Sequence, residues 1–495
     1  MKPTAFLFLG ALAALLTAAS SASSAAAPPL PLPAPDMATY FGASHWSPCY
    51  YINKSLPSLL DGAAALARTG SRAIKVPLSA AAFPWNSPLW PPAGFPSLAA
   101  TAAHPYFAAL LSSPSFQTLV LVAYAVNQGD ICGNYTAADA ANDVTQFAAL
   151  TSHLFAAYSG SGKRIVLQSW ENDWAARCGS YNASRPADPR VQENMVRWLQ
   201  ARQDGVSAGR AAACAAAAAA PSGACAGGGA QRAFMAAAGL EVYHAAEVNL
   251  VRAAMAGAPN NILRVVPRVA LDMVSYSSYD TMNTRELGAA LDFIADHHNR
   301  TASAPSPAVA IGEFGTPEMV SAPGAVAHGV SNVLAYALSA GAGASNAGLR
   351  RAAYVMAWET MDNEVRGEDH DRCSAATGPE FNVSHLNGFW LVRPDGSEAY
   401  TFEAMRGYIN GSLPLPAPPS GAACTFAQDT DVSGVQGSSV SIGGAGQAAW
   451  AACCALCNAA PASCGAAVFF EGTCYLKDFG GSLVHNPGRV ACVPS

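Results

Sequence analysis

The sequence predicts an α/β protein: a (β/α)8 TIM barrel followed by a small disulfide-rich α+β domain. Three observations carry this. Eight apolar runs recur at 39–46, 73–78, 118–126, 164–171, 240–249, 270–280, 308–315 and 352–359, most with polar or aromatic residues at their ends. Helical stretches lie between several of them, such as 139–158 and 287–297, and strand–helix alternation implies a parallel sheet. The last part of the chain packs seven cysteines into fewer than 70 residues, 424 to 492, a density that reads as a disulfide scaffold.

The chain has 495 residues, which suits one large domain plus a small one. Charged residues make up 12% and the formal net charge is −6. No basic run is present, which argues against a nucleic-acid partner, because phosphate binding needs clustered Lys and Arg. Lys2, the short apolar run 5–19 and the small residues 20–27 have the layout of a secretory signal over 1–27. The run is too short to span a bilayer, so the mature chain is expected to lack a membrane span. Six N-x-[ST] sequons, at Asn53, Asn134, Asn182, Asn299, Asn382 and Asn410, fit a secreted glycoprotein of the extracellular space, cell wall or matrix. Disulfides are permitted there.

Domain limits follow from composition. A Pro-rich leader occupies 28–37, the barrel 38–410, a Pro-rich linker 411–423 and the cysteine-rich domain 424–495. Residues 207–238 are Ala- and Gly-rich and are expected as a low-complexity surface insertion closed by Cys214 and Cys225.

Two strand ends carry carboxylates suited to chemistry. Ile311-Gly312-Glu313-Phe314-Gly315 runs an apolar strand into Glu313 between glycines, which would let a substrate approach the backbone. Gln168-Ser169-Trp170-Glu171-Asn172-Asp173-Trp174 places Glu171 between tryptophans, an apolar setting that raises a proton donor's pKa. Barrel enzymes carry catalytic residues at the C-terminal strand ends, and glycoside hydrolysis needs two carboxyl groups. Asp173 and Glu247 compete with Glu171 under the same rule, and Glu313 could instead be a cap or a surface residue. Glu359, Asp362 and Glu364 read as hydrogen-bonded loop residues. His297-His298 reads as a solvated helix end, and 368–371 as a polar loop; no metal or cofactor is expected.

The barrel region resembles clan A glycoside hydrolases, the cellulase and mannanase superfamily, by scattered strand-end motifs over most of 38–408. In that clan the acid/base glutamate ends strand 4 and the nucleophile ends strand 7, so the resemblance implies Glu171 and Glu313 in those roles. It further implies Trp358 as the floor of the sugar site, and Tyr276 or Tyr279 as the tyrosine bonded to the nucleophile. The clan's asparagine before the acid/base is replaced by Trp170, so the sugar 2-OH contact passes to Asn172 or Asn249. Lys75 stands nearest the clan's strand-2 arginine. Glu247 is a further substrate-contact candidate, and Trp46, Trp85, Trp90, Trp174 and Trp390 are each expected either to line subsites or to pack in the core.

The segment from Trp450 through Cys453, Cys454, Cys457 and Cys464 to Cys474-Tyr475-Leu476-Lys477 resembles the PAN/apple module. That resemblance implies a helix stapled to a small antiparallel sheet, with bridges Cys453–Cys474, Cys457–Cys464 and Cys424–Cys492 and Cys454 left over. It also implies a carbohydrate or protein ligand. The expected function is a secreted retaining glycosidase acting on a β-linked polysaccharide or oligosaccharide. The alternatives are a catalytically silent carbohydrate-binding or wall protein, and an adhesive protein dominated by the apple-like module.

Overall fold

The computed structural model describes residues 32–79, 94–218, 222–321, 323–365, 383–416, 424–433, 439–442, 447–459, 464, 466–477 and 482–494. The expected signal 1–27, Trp85, Trp90, the sequon at Asn382, the loop 368–371 and most of the linker lie outside these residues.

Eight parallel strands close into a barrel in sequence order. They are β1 (Phe41–Ser44), β2 (Ala73–Ser79), β3 (Thr118–Tyr124), β4 (Lys163–Ser169), β5 (Leu240–Val248), β6 (Met273–Ser277), β7 (Val309–Phe314) and β8 (Val355–Ala357). Each coincides with one of the eight apolar runs. A strand covered on both faces reads as a continuous apolar run, and β3, Thr-Leu-Val-Leu-Val-Ala-Tyr, is buried along nearly its whole length. Helices start and stop on local signals. Thr136 and Asp139 form a reciprocal capping box at the head of Ala137–Tyr158, and Gly239 ends Gly228–Ala238 in the left-handed conformation.

The surface-insertion reading of 207–238 gives way. Its first half continues the 30-residue helix Pro189–Ala218, and its second half is the helix Gly228–Ala238. Alanine is the strongest helix former, so the biased composition encodes helix rather than loop. Arg210 in this stretch is fully buried and pairs with Asp272 at 2.5 Å. Asp272 also accepts from His244 N (3.0 Å) and Ser303 Oγ (3.1 Å), a polar lock just before β6. The Cys214–Cys225 bridge ties the first helix to the short 3-10 turn Ser222–Cys225 between the two, and Cys132–Cys178 ties the loops after β3 and β4. His298 departs from the solvated reading: it is buried, its Nε2 lies 3.0 Å from Leu271 O, and burial lowers its pKa to about 4.

The C-terminal part is a five-stranded antiparallel sheet, order β10-β12-β11-β13-β9, with one helix, Gln447–Ala459. Its strands are β9 (Cys424–Ser433), β10 (Ser439–Ser441), β11 (Ala466–Phe470), β12 (Thr473–Lys477) and β13 (Ser482–Pro494). Cys453 bridges to Cys474 and Cys457 to Cys464, stapling helix to sheet. The expected Cys424–Cys492 bridge does not form: Cys492 is a buried free thiol, whereas Cys454 is disulfide-bonded. Strand register explains this. Cys492 stands opposite Phe426, and Cys424 opposite Pro494. The two are therefore diagonal in the ladder, too far apart for Cβ atoms that must approach to about 4 Å.

Candidate active site

The C-terminal ends of the barrel strands surround a cleft of about 640 Å³. Glu171 and Glu313 line it, with Trp46, Tyr124, Trp170, Trp174, Tyr181, Tyr279, Trp358, Asn363, Glu364 and Phe389.

Glu313 ends β7 as the strand rises from the core. Its Oε1 accepts from Lys75 Nζ at 2.7 Å, and its Oε2 from Tyr279 OH at 3.4 Å. Lys75, fully buried on β2, also donates to Glu247 Oε1 at 2.8 Å and to Gly312 O at 3.3 Å. Glu247 Oε2 in turn accepts from the backbone N of Glu171 at 3.3 Å. One ammonium therefore joins β2, β5 and β7, and the same carboxylate reaches the end of β4. Burial alone would neutralise Lys75, but Glu247 and Glu313 more than offset it and its pKa rises.

The carboxyl groups feel different surroundings. Burial raises Glu313 to about 7, with Lys75 pulling down and Glu247 pushing up. Glu171 is buried too and rises well above the ordinary range, first by burial and then by the charges of Glu313 and Glu247. Glu171 also has φ of 26° where the chain leaves β4 for the short helix Asn172–Ala175. Burial and the neighbouring carboxylates thus favour the protonated form of Glu171, whereas Glu313 has the Lys75 ammonium on its oxygen to favour the ionised form.

The strand-7 glycines have a role other than admitting substrate. A Cβ at Gly312 would stand 2.0 Å from Ser275 Oγ and 2.3 Å from Glu247 Oε1. A Cβ at Gly315 would stand 2.6 Å from Trp358 O. Both clear space for the internal packing of the site. The β6–β7 register shifts between Tyr276 and Ser277 beside them, setting Ser277 opposite Glu313.

Of the two tyrosines, Tyr279 reaches Glu313. Tyr276 is buried, and its hydroxyl meets Asp280 and, at 2.7 Å, Thr281 Oγ1. Trp358 and Trp46 stand together on the cleft wall, ring centroids 6.5 Å apart. Trp358 Nε1 donates to Glu364 Oε1 at 3.0 Å, and the Trp358–Glu359 peptide is cis.

Several candidates are brought to the site without facing it. Lys75 and Glu247 lie under the carboxyls rather than on the cleft wall. Asn249 and Asp173 hold each other: Asp173 N donates to Asn249 Oδ1 (3.2 Å), and Asn249 N to Asp173 Oδ2 (3.1 Å). Asp173 Oδ1 also accepts from Asn261 N at 2.9 Å. This makes Asp173 a brace between the β4 and β5 loops; burial raises it to about 6 against those hydrogen bonds. Asn172 is buried and does not line the cleft. The assignment of the 2-OH contact to Asn172 or Asn249 therefore loses its basis. Glu359 and Asp362 brace loops, accepting from Trp46 N (3.0 Å) and from Phe389 N (3.2 Å).

Trp174, a subsite candidate from the sequence, lines the cleft, and Tyr181, Tyr124 and Phe389 are cleft residues that strand-end reasoning passes over. Tyr181 and Phe389 sit in loops, and Tyr124 ends β3 as one more apolar residue. Among the described residues no group of His, Cys, Asp and Glu could hold a metal ion, and no helix is long and apolar enough to cross a membrane. Asn53, Asn134, Asn182, Asn299 and Asn410 are all exposed.

No family model matches the chain, and no curated protein does. Solved structures do align with it. A GH5_18 protein from Streptomyces cattleya in complex with Manβ1-4GlcNAc is 13% identical, with 77% of this chain and 83% of that one covered, at a TM-score of 0.43. A GH5_18 protein from Bifidobacterium longum, in complex with the same disaccharide, is 13% identical over 77% of this chain and 80% of its own, at 0.44. A family 5 lichenase from Caldicellulosiruptor sp. F32 complexed with cellotetraose is 10% identical over 75% and 94%, at 0.39.

Proposed function

We propose that this chain is a secreted retaining glycoside hydrolase that cleaves a β-linked polysaccharide or oligosaccharide by double displacement. The observation that carries the reading is a pair of buried carboxyls in one aromatic cleft, only one of which has a cation on its oxygen.

Glu313 is the nucleophile. Lys75 favours its ionised form and fixes one oxygen, and Tyr279 fixes the other. Glu171 is the acid/base. Burial keeps its proton at neutral pH, so it can protonate the leaving oxygen. As the glycosyl–Glu313 bond forms, the negative charge of Glu313 is spent and Glu171 becomes the more acidic group. It can then take the proton of the attacking water, restoring both residues. Trp46 and Trp358 offer apolar faces to a pyranose ring on the Glu313 side. The C-terminal sheet, with its helix stapled by two bridges, acts as a PAN/apple-like module that binds carbohydrate or protein, and the exposed sequons carry N-linked glycans.

The test is a screen of purified protein on β-mannan, β-glucan, xylan and galactan, followed by Glu313→Ala on the active substrate. Turnover should disappear, and azide should restore it with an inverted glycosyl azide. Unchanged activity in that variant rules the assignment out. Glycan binding with no turnover on any substrate would favour the catalytically silent alternative.

A further inference from the structure

Beside Glu171 the cleft wall is a three-ring surface. The Trp170 and Tyr181 centroids are 6.3 Å apart and the rings cross at 66°; those of Trp174 and Tyr181 are 5.7 Å apart at 56°. All three line the cleft, and Tyr181 is 41% exposed, unusual for a ring inside an enzyme cleft. The Arg177 guanidinium lies over the Trp174 ring, 5.7 Å from its centroid, backing it with a buried cation.

The surface is also held stiffly. Arg177 Nη1 donates to Asp173 O and its Nε to Arg185 O, both at 2.7 Å. Asp173 is anchored to Asn249 and Asn261 on the far side, and Cys178 is bridged to Cys132. A loop this constrained presents its rings without an ordering cost on binding. It also presents them on a defined side. An acid/base carboxyl must reach the oxygen of the departing sugar, so side chains flanking Glu171 face the leaving group. Trp358 and Tyr279, around Glu313, face the sugar that stays.

We propose that Trp170, Trp174 and Tyr181 form the binding platform for the leaving-group sugar, and for the acceptor in the reverse half-reaction. Its ligand is a pyranose presenting an apolar C–H face, stacked on Trp174 and edged by Tyr181. A sugar held on these rings stands beside Glu171, placed to compete with water for the glycosyl group. The inference rests on Glu171 as the acid/base.

The experiment compares full-length wild type with Trp174→Ala and Tyr181→Ala on two kinds of substrate. β-Cellobiosyl and β-mannobiosyl fluoride carry no leaving-group sugar; cellotetraose and mannotetraose do. The expected result is a loss of kcat/KM on the tetraose at least about tenfold larger than on the matching fluoride. Transfer to added cellobiose or mannobiose should fall in the same variants, and Trp174→Phe should recover most of both. Equal losses on fluoride and tetraose, or an undiminished tetraose rate, would overturn the platform while leaving the hydrolase reading intact. Wild-type protein inert on all four substrates and on xylan and galactan counts against both, and isothermal titration of Glu171→Gln with the tetraoses then separates them. Binding weakened about tenfold by adding Trp174→Ala retains the platform; unaltered binding, or none, removes it.

Discussion

Lys75 is the residue whose removal tests the electrostatics of the site most directly. In Lys75→Met a similar stem remains, but the ammonium 2.7 Å from Glu313 is lost. At an effective dielectric constant of about 20, that contact is worth roughly 6 kcal/mol, equivalent to about four pKa units. This is a ceiling, because the site relaxes when Glu247 loses the same partner. A rise of about two units in the Glu313 pKa, from its value of about 7, is the working expectation. In the proposed mechanism Glu313 must be ionised to attack, so the acid limb of kcat/KM moves to higher pH. At pH 6 the loss is then about 100-fold. Glu247→Gln should act in the opposite sense. It removes a negative charge that pushes Glu313 up, so the acid limb moves to lower pH. The assay is the pH profile of kcat/KM on a glycosyl fluoride, with near-UV circular dichroism as the check on folding. Opposite displacements cannot come from general damage to the fold. Folded variants whose acid limbs stay within about half a unit of wild type would refute the reasoning.

Four further outcomes follow from the same structure. Global stability should stay within about 1 kcal/mol between pH 6.5 and 8.5, measured by denaturant unfolding, because two opposing contributions nearly cancel. Glu313 and Asp362, each raised to about 7, lose protons there that the unfolded chain has already lost, so their share of the stability drops as pH rises through the folded values. The buried neutral His45, His298 and His328, lowered to about 4, act in the opposite sense, because their unfolded counterparts give up protons as pH rises from 6.5. Gly312→Ala should cost about 1–3 kcal/mol and most of the activity, since its Cβ meets Glu247 Oε1. Tyr279→Phe should lower kcat/KM by roughly tenfold, whereas Tyr276→Phe should lower the melting temperature with little kinetic effect, because only Tyr279 touches Glu313. Cys492 should resist thiol reagents in native protein and react once denaturant is added, because it is buried and burial holds its thiol up at about 12.

The barrel was legible because its strands are buried on both faces and stand in the sequence as unbroken apolar runs. Glu171 and Glu313 were legible for the same reason: each is the first charge after such a run. What surrounds them depends on distances across the barrel that no local pattern encodes. Lys75 and Glu247 are 172 residues apart and meet at 2.8 Å. Tyr276 and Tyr279 are equivalent as residue types, and only the strand end decides which one turns toward Glu313. Asn249 is polar and at a strand end, yet its Oδ1 accepts from the backbone of Asp173 and the residue does not line the cleft. In the C-terminal sheet, cysteine spacing resembled a known pattern, but a two-residue ladder offset separates Cys424 from Cys492. The Ala-rich run at 207–238 misled for a different reason, since its composition looks uninformative while its helix propensity is high.

The left-handed turn at Glu171 has a consequence for how this site could be lost. Holding a long side chain at φ of 26° costs on the order of 1–2 kcal/mol, a cost glycine would not bear. The backbone at that position thus selects for one residue and the chemistry for another. Replacement by glycine would discard the proposed acid/base and relieve its conformational penalty in one step. A lineage of this fold freed from catalysis would gain stability by drifting there, and a barrel keeping its aromatic cleft but carrying glycine at this turn would mark a descendant that binds sugar without cutting it.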